Sequence, residues 1–351
     1  MHLDLHRHLE GSHSPAALAT VARDLDLRKA PFFDLAHGRY RTPDELREFL
    51  TVAGPSDDPG AFYGCIVAAR AAYVSVAAIG ALAEAAMREA ADDADGIDLR
   101  LSLFSMARTL VEHDGRVWRE VAPVEFASRY AEPILAAVVA ARERAVAATG
   151  VPIALRLGLS RTFESAPHYQ ALAAMVIEQA ATLVGQDVLG IVTGADREPM
   201  PAELVAIIDR LRPHLPDLTI HAGEFAGADA VARTLELRPN GIGHGVHALE
   251  DPAVLERLAA SGVTLEVCPT SNLLLIPTAV AALEARAGAT PLAALQRAGV
   301  RCVLGSDDPV SLGTTYRAEL ALAGTLGVDL ARLAADSAAR WTAVRGAQAP
   351  A

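Results

Sequence analysis

Residues 3–12 read Leu-Asp-Leu-His-Arg-His-Leu-Glu-Gly-Ser. Apolar and polar side chains alternate, which predicts a strand over Leu3–His8. A strand turns residues i and i+2 to the same face. His6 and His8 therefore stand side by side, as two metal ligands would, with Leu3, Leu5 and Leu9 expected on the opposite face. A histidine pair near a terminus also fits a solvated end. The metal reading thus requires more ligands, a proton-handling carboxylate and a fold that unites them.

Further along the chain, short β-rich apolar runs recur between longer Ala/Leu/Glu/Arg stretches. The runs after the first are Ile97–Phe104, Ile153–Leu159, Val188–Thr193, Leu218–His221, Gly241–Val246, Thr264–Cys268 and Arg301–Gly305. Helical patterns between them include Pro123–Ala148, His168–Val184, Pro201–Leu211, Asp251–Ala260 and Pro291–Ala298. Strand–helix alternation predicts a parallel sheet, and its repetition predicts a (β/α)8 TIM barrel. An open doubly wound sheet would place a glycine-rich phosphate turn after an early strand, and the sequence has none. The link between the first two strands is roughly ninety residues, far longer than an ordinary βα connection. It holds helical patterns at Ser14–Leu25, Pro43–Val52 and Phe62–Ala91, punctuated by Pro31 and by Pro55–Gly60. Leaving the C-terminal end of strand one, it predicts a helical cap over the barrel mouth, about residues 14–91, inserted into a single domain spanning 1–351.

Composition bounds the function. The chain has 351 residues, 52% hydrophobic, enough for one barrel-sized core. A net charge of −12 without a basic run disfavours nucleic-acid binding. Cys65, Cys268 and Cys302 are far apart, which suits a reducing compartment and excludes a disulfide framework. The polar start and the short, interrupted apolar stretch at 71–83 predict neither secretion nor a membrane span. The expectation is a cytoplasmic protein acting on a small molecule, with oligomeric state open.

In a barrel, chemistry gathers at the C-terminal ends of the strands. Four polar clusters fall there: His6 and His8 followed by Glu10; His221-Ala222-Gly223-Glu224; Gly243-His244-Gly245; and Ser306-Asp307-Asp308-Pro309. Each has a plain structural reading, such as a packed histidine, a flexible loop or a helix cap. Their placement at one end of one barrel favours a shared site. His6, His8, His221 and Asp307 supply three nitrogens and one oxygen, a set that suits one Zn²⁺ per chain with a position left for water; Fe²⁺ and Mn²⁺ suit the same donors. Zinc lowers the pKa of its water to about 7. Glu224, His244 and Asp308 remain as proton-handling groups. A two-metal hydrolase would draw a bridging lysine or carboxylate from strand four, and Val188–Thr193 offers neither.

The segments LHRHLEGS (Leu5–Ser12), HAGE (His221–Glu224), GIGHG (Gly241–Gly245), EVCPTSN (Glu266–Asn272) and SDDP (Ser306–Pro309) together resemble the adenosine deaminase family of the amidohydrolase superfamily. The resemblance spans nearly the whole chain. It implies hydrolytic deamination of a 6-aminopurine, foremost adenosine or deoxyadenosine. Adenine, aminodeoxyfutalosine or an N6-substituted adenine are the alternatives, and a non-catalytic purine-binding protein is the rival class. It implies zinc on His6, His8, His221 and Asp307, with Glu224 protonating ring N1, His244 orienting or deprotonating the attacking water and Asp308 contacting N7. Glu10 is implied at the ribose end, and Gly194, in Val192-Thr193-Gly194-Ala195-Asp196, near ring N3. One departure concerns a strand-two pattern resembling ELRFSP. Aligned on Leu101–Met106, it loses both its Glu and its Arg.

Overall fold

The computed structural model describes residues 1–162, 165–189 and 199–347. Eight parallel strands pair in chain order. They are β1 (Leu3–His8), β2 (Gly96–Leu101), β3 (Ile153–Ser160), β4 (Gly185–Leu189), β5 (Asp217–Ala222), β6 (Gly241–His244), β7 (Thr264–Val267) and β8 (Arg301–Leu304). β8 returns to β1 through a bridge rather than a ladder. His8 N donates to the Asp307 carbonyl at 2.7 Å, and Asp307 N donates to the His6 carbonyl at 2.8 Å. Helices lie between the strands, so the architecture is the expected (β/α)8 barrel. The seam that closes it is also the point where three of the predicted ligands meet.

Several boundaries differ from the sequence pattern, each for a local reason. β2 ends at Leu101 rather than Phe104. The Ser102 amide leaves the sheet to donate to Glu10 Oε1 at 2.8 Å. Beyond it Leu103, Phe104, Ala107, Leu110 and Val111 recur at helical spacing and bury one face of a helix, Leu103–His113. β4 begins at Gly185, three residues before the predicted Val188. Gly185, Gln186 and Asp187 are fully buried but not apolar, so an apolar run does not mark them. Residues 190–193 lie outside the described part. The single helix predicted over 62–91 is two, Gly60–Arg70 and Val76–Ala91. Ser75, whose hydroxyl accepts from Ala78 N at 3.1 Å, starts the second.

The stretch between β1 and β2 thus contains α1 (Pro15–Asp24), α2 (Pro43–Leu50), α3 (Gly60–Arg70) and α4 (Val76–Ala91). α4 lies along the helix Glu132–Thr149, where a Cβ on Gly80 would stand 3.4 Å from Ala137 Cβ, so it belongs to the barrel wall. The chain between α2 and α3 is tied to the loops after β7 and β8. Val52 N donates to Ser311 O at 2.9 Å, Ser56 N to Leu274 O at 2.8 Å, and Asp57 accepts from Thr278 N at 3.2 Å. α3 consequently covers the C-terminal ends of the strands. Among the described residues, no helix is long and apolar enough to cross a membrane.

The barrel interior is polar, where barrels more often pack Val, Ile and Leu. At its floor Leu3 and Leu5 pack with Ala154, Val303 and Trp341. Above them Arg156 reaches Asp98 at 2.6 Å and Asp217 at 2.7 Å, and Arg340 from the last helix reaches Asp217 and, at 3.1 Å, Glu266. These side chains are at most 5% exposed. Charges that deep persist only when paired.

Candidate metal centre and active site

The register of β1 shifts between Asp4 and Arg7. Alternation therefore breaks within the strand. Leu3 and Leu5 pack with the floor of the interior instead of lying wholly opposite the histidines, and Leu9 joins the main core as expected. His6 and His8 still converge, with Nε2 atoms 3.2 Å apart. His221, at the end of β5, places its Nε2 3.0 Å from that of His6 and 3.3 Å from that of His8. Asp307 Oδ1 lies 3.8 Å from His6 Nε2 and 3.3 Å from His8 Nε2. The four predicted ligands are thus brought together.

Protonation tests whether these atoms fit a cation. His6 Nδ1 lies 2.9 Å from Glu266 Oε2, and His221 Nδ1 lies 3.1 Å from Asp187 Oδ1. Carboxylates accept, so each Nδ1 carries the hydrogen, and the Nε2 of the same ring is the atom turned inward, where a lone pair can meet a cation. Burial pushes His6 well below its ordinary pKa and His8 down to about 3, so both rings are neutral near pH 7. Lone pairs that face one another at 3.0 Å repel unless a cation lies between them. Four-coordinate Zn²⁺, bound at about 2.0–2.1 Å, spaces its ligands roughly 3.3 Å apart, which matches the imidazole triangle.

Asp187, Glu266 and Arg100 hold this arrangement from behind. Arg100 Nε donates to Asp187 Oδ2 at 2.8 Å, and its Nη2 to Glu266 Oε2. Burial alone would raise the Asp187 carboxyl, but His221 and Arg100 outweigh it and keep it far below the usual carboxylate range. One guanidinium thereby locks two carboxylates, and each carboxylate fixes the tautomer of one ligand. None of the three was singled out as a site residue. Glu266 lay inside the EVCPTSN segment. Asp187 lay just upstream of the apolar run taken as strand four, so that strand does carry a carboxylate; it faces His221 Nδ1 rather than the Nε2 cluster. Arg100 corrects the strand-two alignment. Three residues earlier, Asp98-Leu99-Arg100 supplies the arginine of that pattern and an aspartate in place of its glutamate.

The proton-handling candidates border the same centre. His244 Nε2 lies 3.5 Å from Glu224 Oε2 and 4.0 Å from Asp307 Oδ2, with Asn272 Nδ2 3.4 Å from its Nδ1. Burial lowers the His244 pKa to about 4. His244 and Asp307 both adopt left-handed backbone, φ +62° and +59°, an uncommon state for non-glycine residues that persists when its surroundings enforce it. Burial, then Asp307 and Glu10, push the Asp308 carboxyl well above its ordinary value. Gly11 lets this carboxyl approach the β1 loop, since a Cβ there would sit 2.0 Å from Asp308 Oδ1. Gly11→Ala is expected to lower unfolding free energy by about 1–3 kcal/mol through overpacking. Urea denaturation of metal-loaded protein checks this, and a change under half of the lower figure would contradict it.

These groups open into a cavity of about 720 Å³ beneath α3. His8, Glu10, His221, Glu224, His244, Asp307 and Asp308 line its inner end, while Ile66, Arg70, Ser105 and Arg108 line its outer part. Glu10 is buried and fixed by the Ser102 amide. Gly194 lies outside the described residues.

A (β/α)8 barrel whose mouth joins a His3Asp cluster to further carboxylates defines a hydrolase of the metal-dependent type. A model of the adenosine deaminase family matches residues 2–350, and the chain belongs to that family of hydrolytic C–N-cleaving enzymes. It is 32% identical over 332 residues to an adenine deaminase of Rhizobium johnstonii, covering 93% of this chain and 88% of that protein. An adenine deaminase of Agrobacterium fabrum is 42% identical over 131 residues; that match spans 37% of this chain and only 38% of the relative's length. The crystal structure of adenine deaminase from Arthrobacter aurescens superposes with a TM-score of 0.71 at 21% identity, covering 99% of this chain and 97% of that one.

Proposed function

We propose that this chain is a zinc-dependent aminohydrolase that replaces the exocyclic amine of a 6-aminopurine with oxygen. The observation that carries the reading is the triangle of Nε2 lone pairs beside Glu224, His244 and Asp308 at the floor of one cavity. His6, His8, His221 and Asp307 would hold the ion, which when bound lowers the pKa of a coordinated water to about 7. Glu224 donates a proton to ring N1, which makes C6 electrophilic. His244, neutral near pH 7, receives a proton from the attacking water and orients it. Asp308, kept protonated by burial and by Asp307, donates to N7 and fixes the plane of the ring. As C6 becomes tetrahedral, the proton taken by His244 passes to the exocyclic nitrogen, which leaves as ammonia, and the proton of the new C6 hydroxyl returns to Glu224 as the 6-oxo group forms. α3 screens the step from bulk water.

Adenosine was the first substrate expected from the resemblance. The relatives are named for adenine, so their names favour the free base over the nucleoside. Zinc-loaded protein offered adenine, adenosine, deoxyadenosine and aminodeoxyfutalosine is expected to release ammonia from adenine, with the ultraviolet shift of a 6-oxopurine. No turnover of any 6-aminopurine would overturn the proposal.

A further inference from the structure

We propose that the outer part of the cavity is an anion-binding compartment. Among substituted 6-aminopurines, the chain then selects those bearing a phosphate or carboxylate remote from the amino group. Its orientation rests on the 6-aminopurine reading: a ring held by Glu224 at N1 and Asp308 at N7 turns N9 away from the histidines and toward the cap.

The helix Leu103–His113, α5, starts beside Ser102, whose amide holds Glu10. Ser105, Arg108 and Thr109 follow at helical spacing, and Ser105 and Arg108 line the cavity. At 1.5 Å per residue, Arg108 stands about 9 Å along the axis from Ser102. Arg70, at the end of α3, reaches the same face. Its Nη2 donates to the Ser105 carbonyl at 3.1 Å and to Thr109 Oγ1 at 2.9 Å, neither of which is charged. Its Nε is buried with no hydrogen-bond partner among the described residues. Arg108 lines the same cavity, with Nε 3.4 Å from the half-exposed Glu112. The compartment therefore presents two guanidiniums from neighbouring helices about two helical turns beyond Glu10.

The half-buried Arg70 guanidinium makes its described hydrogen bonds to neutral acceptors, with the Glu10 carboxyl near enough to feel its charge, so its fork has room for an anionic partner. Its planar fork matches the paired oxygens of a phosphate or carboxylate. A neutral hydroxymethyl group at that distance would leave the fork unsatisfied, and an anion would complete it. Besides Glu10, Glu224, Asp307 and Asp308 at the inner end, two further acids line the cavity. Asp57 accepts from Thr278 N and hydroxyl, and Asp58 accepts from Gly60 N at 2.9 Å, so both are engaged in holding the cap.

The competing role for Arg70 is mechanical, pinning α3 to α5. A ratio separates the two. Zinc-loaded protein is assayed with adenosine, adenosine 5′-phosphate and adenosine 5′-carboxylate. At least one anion should exceed adenosine in kcat/KM by about tenfold or more. That ratio should fall at least about fivefold in Arg70→Met and in Arg108→Met, with partial recovery in Arg70→Lys. Preference for the phosphate or for the carboxylate identifies the source of the anion. Calorimetry with the deaminated products, inosine, inosine 5′-phosphate and inosine 5′-carboxylate, reads the compartment without turnover and should favour at least one of the two anions over inosine at least about tenfold. Equal kcat/KM for neutral and anionic substrates, a ratio unmoved by Arg70→Met, or equal product affinities would overturn the proposal. If no 6-aminopurine reacts, the deamination reading alone fails, because product binding still decides the compartment.

Discussion

Glu224→Gln should keep its zinc and its fold and lose about 10²–10⁴-fold in kcat, the range carried by a positioned general acid. Three facts make the loss separable from damage to the site. Glu224 is not one of the four converging ligands, so metal content by atomic spectroscopy should stay near one per chain. Glutamine is nearly isosteric and fits the same place beside His244 Nε2, 3.5 Å away. The turn that presents it is set by the backbone. Gly223 has φ +65°, and a Cβ there would meet Val231 at 2.5 Å, so the loop leaves β5 in one conformation whatever stands at 224. An amide still hydrogen-bonds to a ring nitrogen but has no acidic proton to transfer. Ground-state binding should therefore survive while kcat collapses. Activity within a few-fold of wild type would mean that another group protonates N1. Loss of zinc together with activity would make Glu224 part of the metal's support instead.

Much of this site was legible because its chemistry lies in short segments at strand ends. His6 and His8 are separated by one residue, and His221 with Glu224, and Asp307 with Asp308, each lie within one turn. Such spacing survives in a one-dimensional reading, and barrel topology supplies the convergence. What escaped shares a different physical character. Arg100, Asp187 and Glu266 sit on strands whose inward faces are charged: the apolar-run criterion skipped Asp187 at β4, while Arg100 and Glu266 lay inside expected strands with nothing local to mark their role. Their partners are 87 and 166 residues away in sequence from Arg100, and no local pattern encodes such a contact. The irregularity in β1 was equally invisible, since Leu3, Leu5 and Leu9 keep one parity and His6 and His8 the other. The shift shows only when paired against β2. The division of the 62–91 helical pattern was readable in principle, because Ser75 is a good N-cap, but continuous alanine obscured it.

The hidden residues yield the second large prediction. Arg100→Met is expected to lower unfolding free energy by about 3–5 kcal/mol, the usual cost of stripping one partner from a buried ionic cluster. Arg100 and both of its acids are fully buried, so water cannot replace the guanidinium. Glu266 retains Arg340 at 3.1 Å and Thr219 Oγ1 at 3.0 Å on its other oxygen. Asp187 keeps only His221 among its described side-chain partners, and it should suffer more. Because these carboxylates fix the tautomers of His6 and His221, the damage should reach the ion. Competition with a chelator should show metal affinity weakened about 10–100-fold. Asp187→Asn is the gentler test should Arg100→Met fail to fold. It keeps an oxygen acceptor for His221 Nδ1 while removing the negative charge that strengthens Nε2 of the same ring as a metal donor, and the same 10–100-fold loss is expected with a smaller fall in stability. If Arg100→Met cost less than about 1 kcal/mol and neither variant changed metal affinity, Arg100 would be a packing residue. The polar interior would then have to be explained without reference to the site it carries.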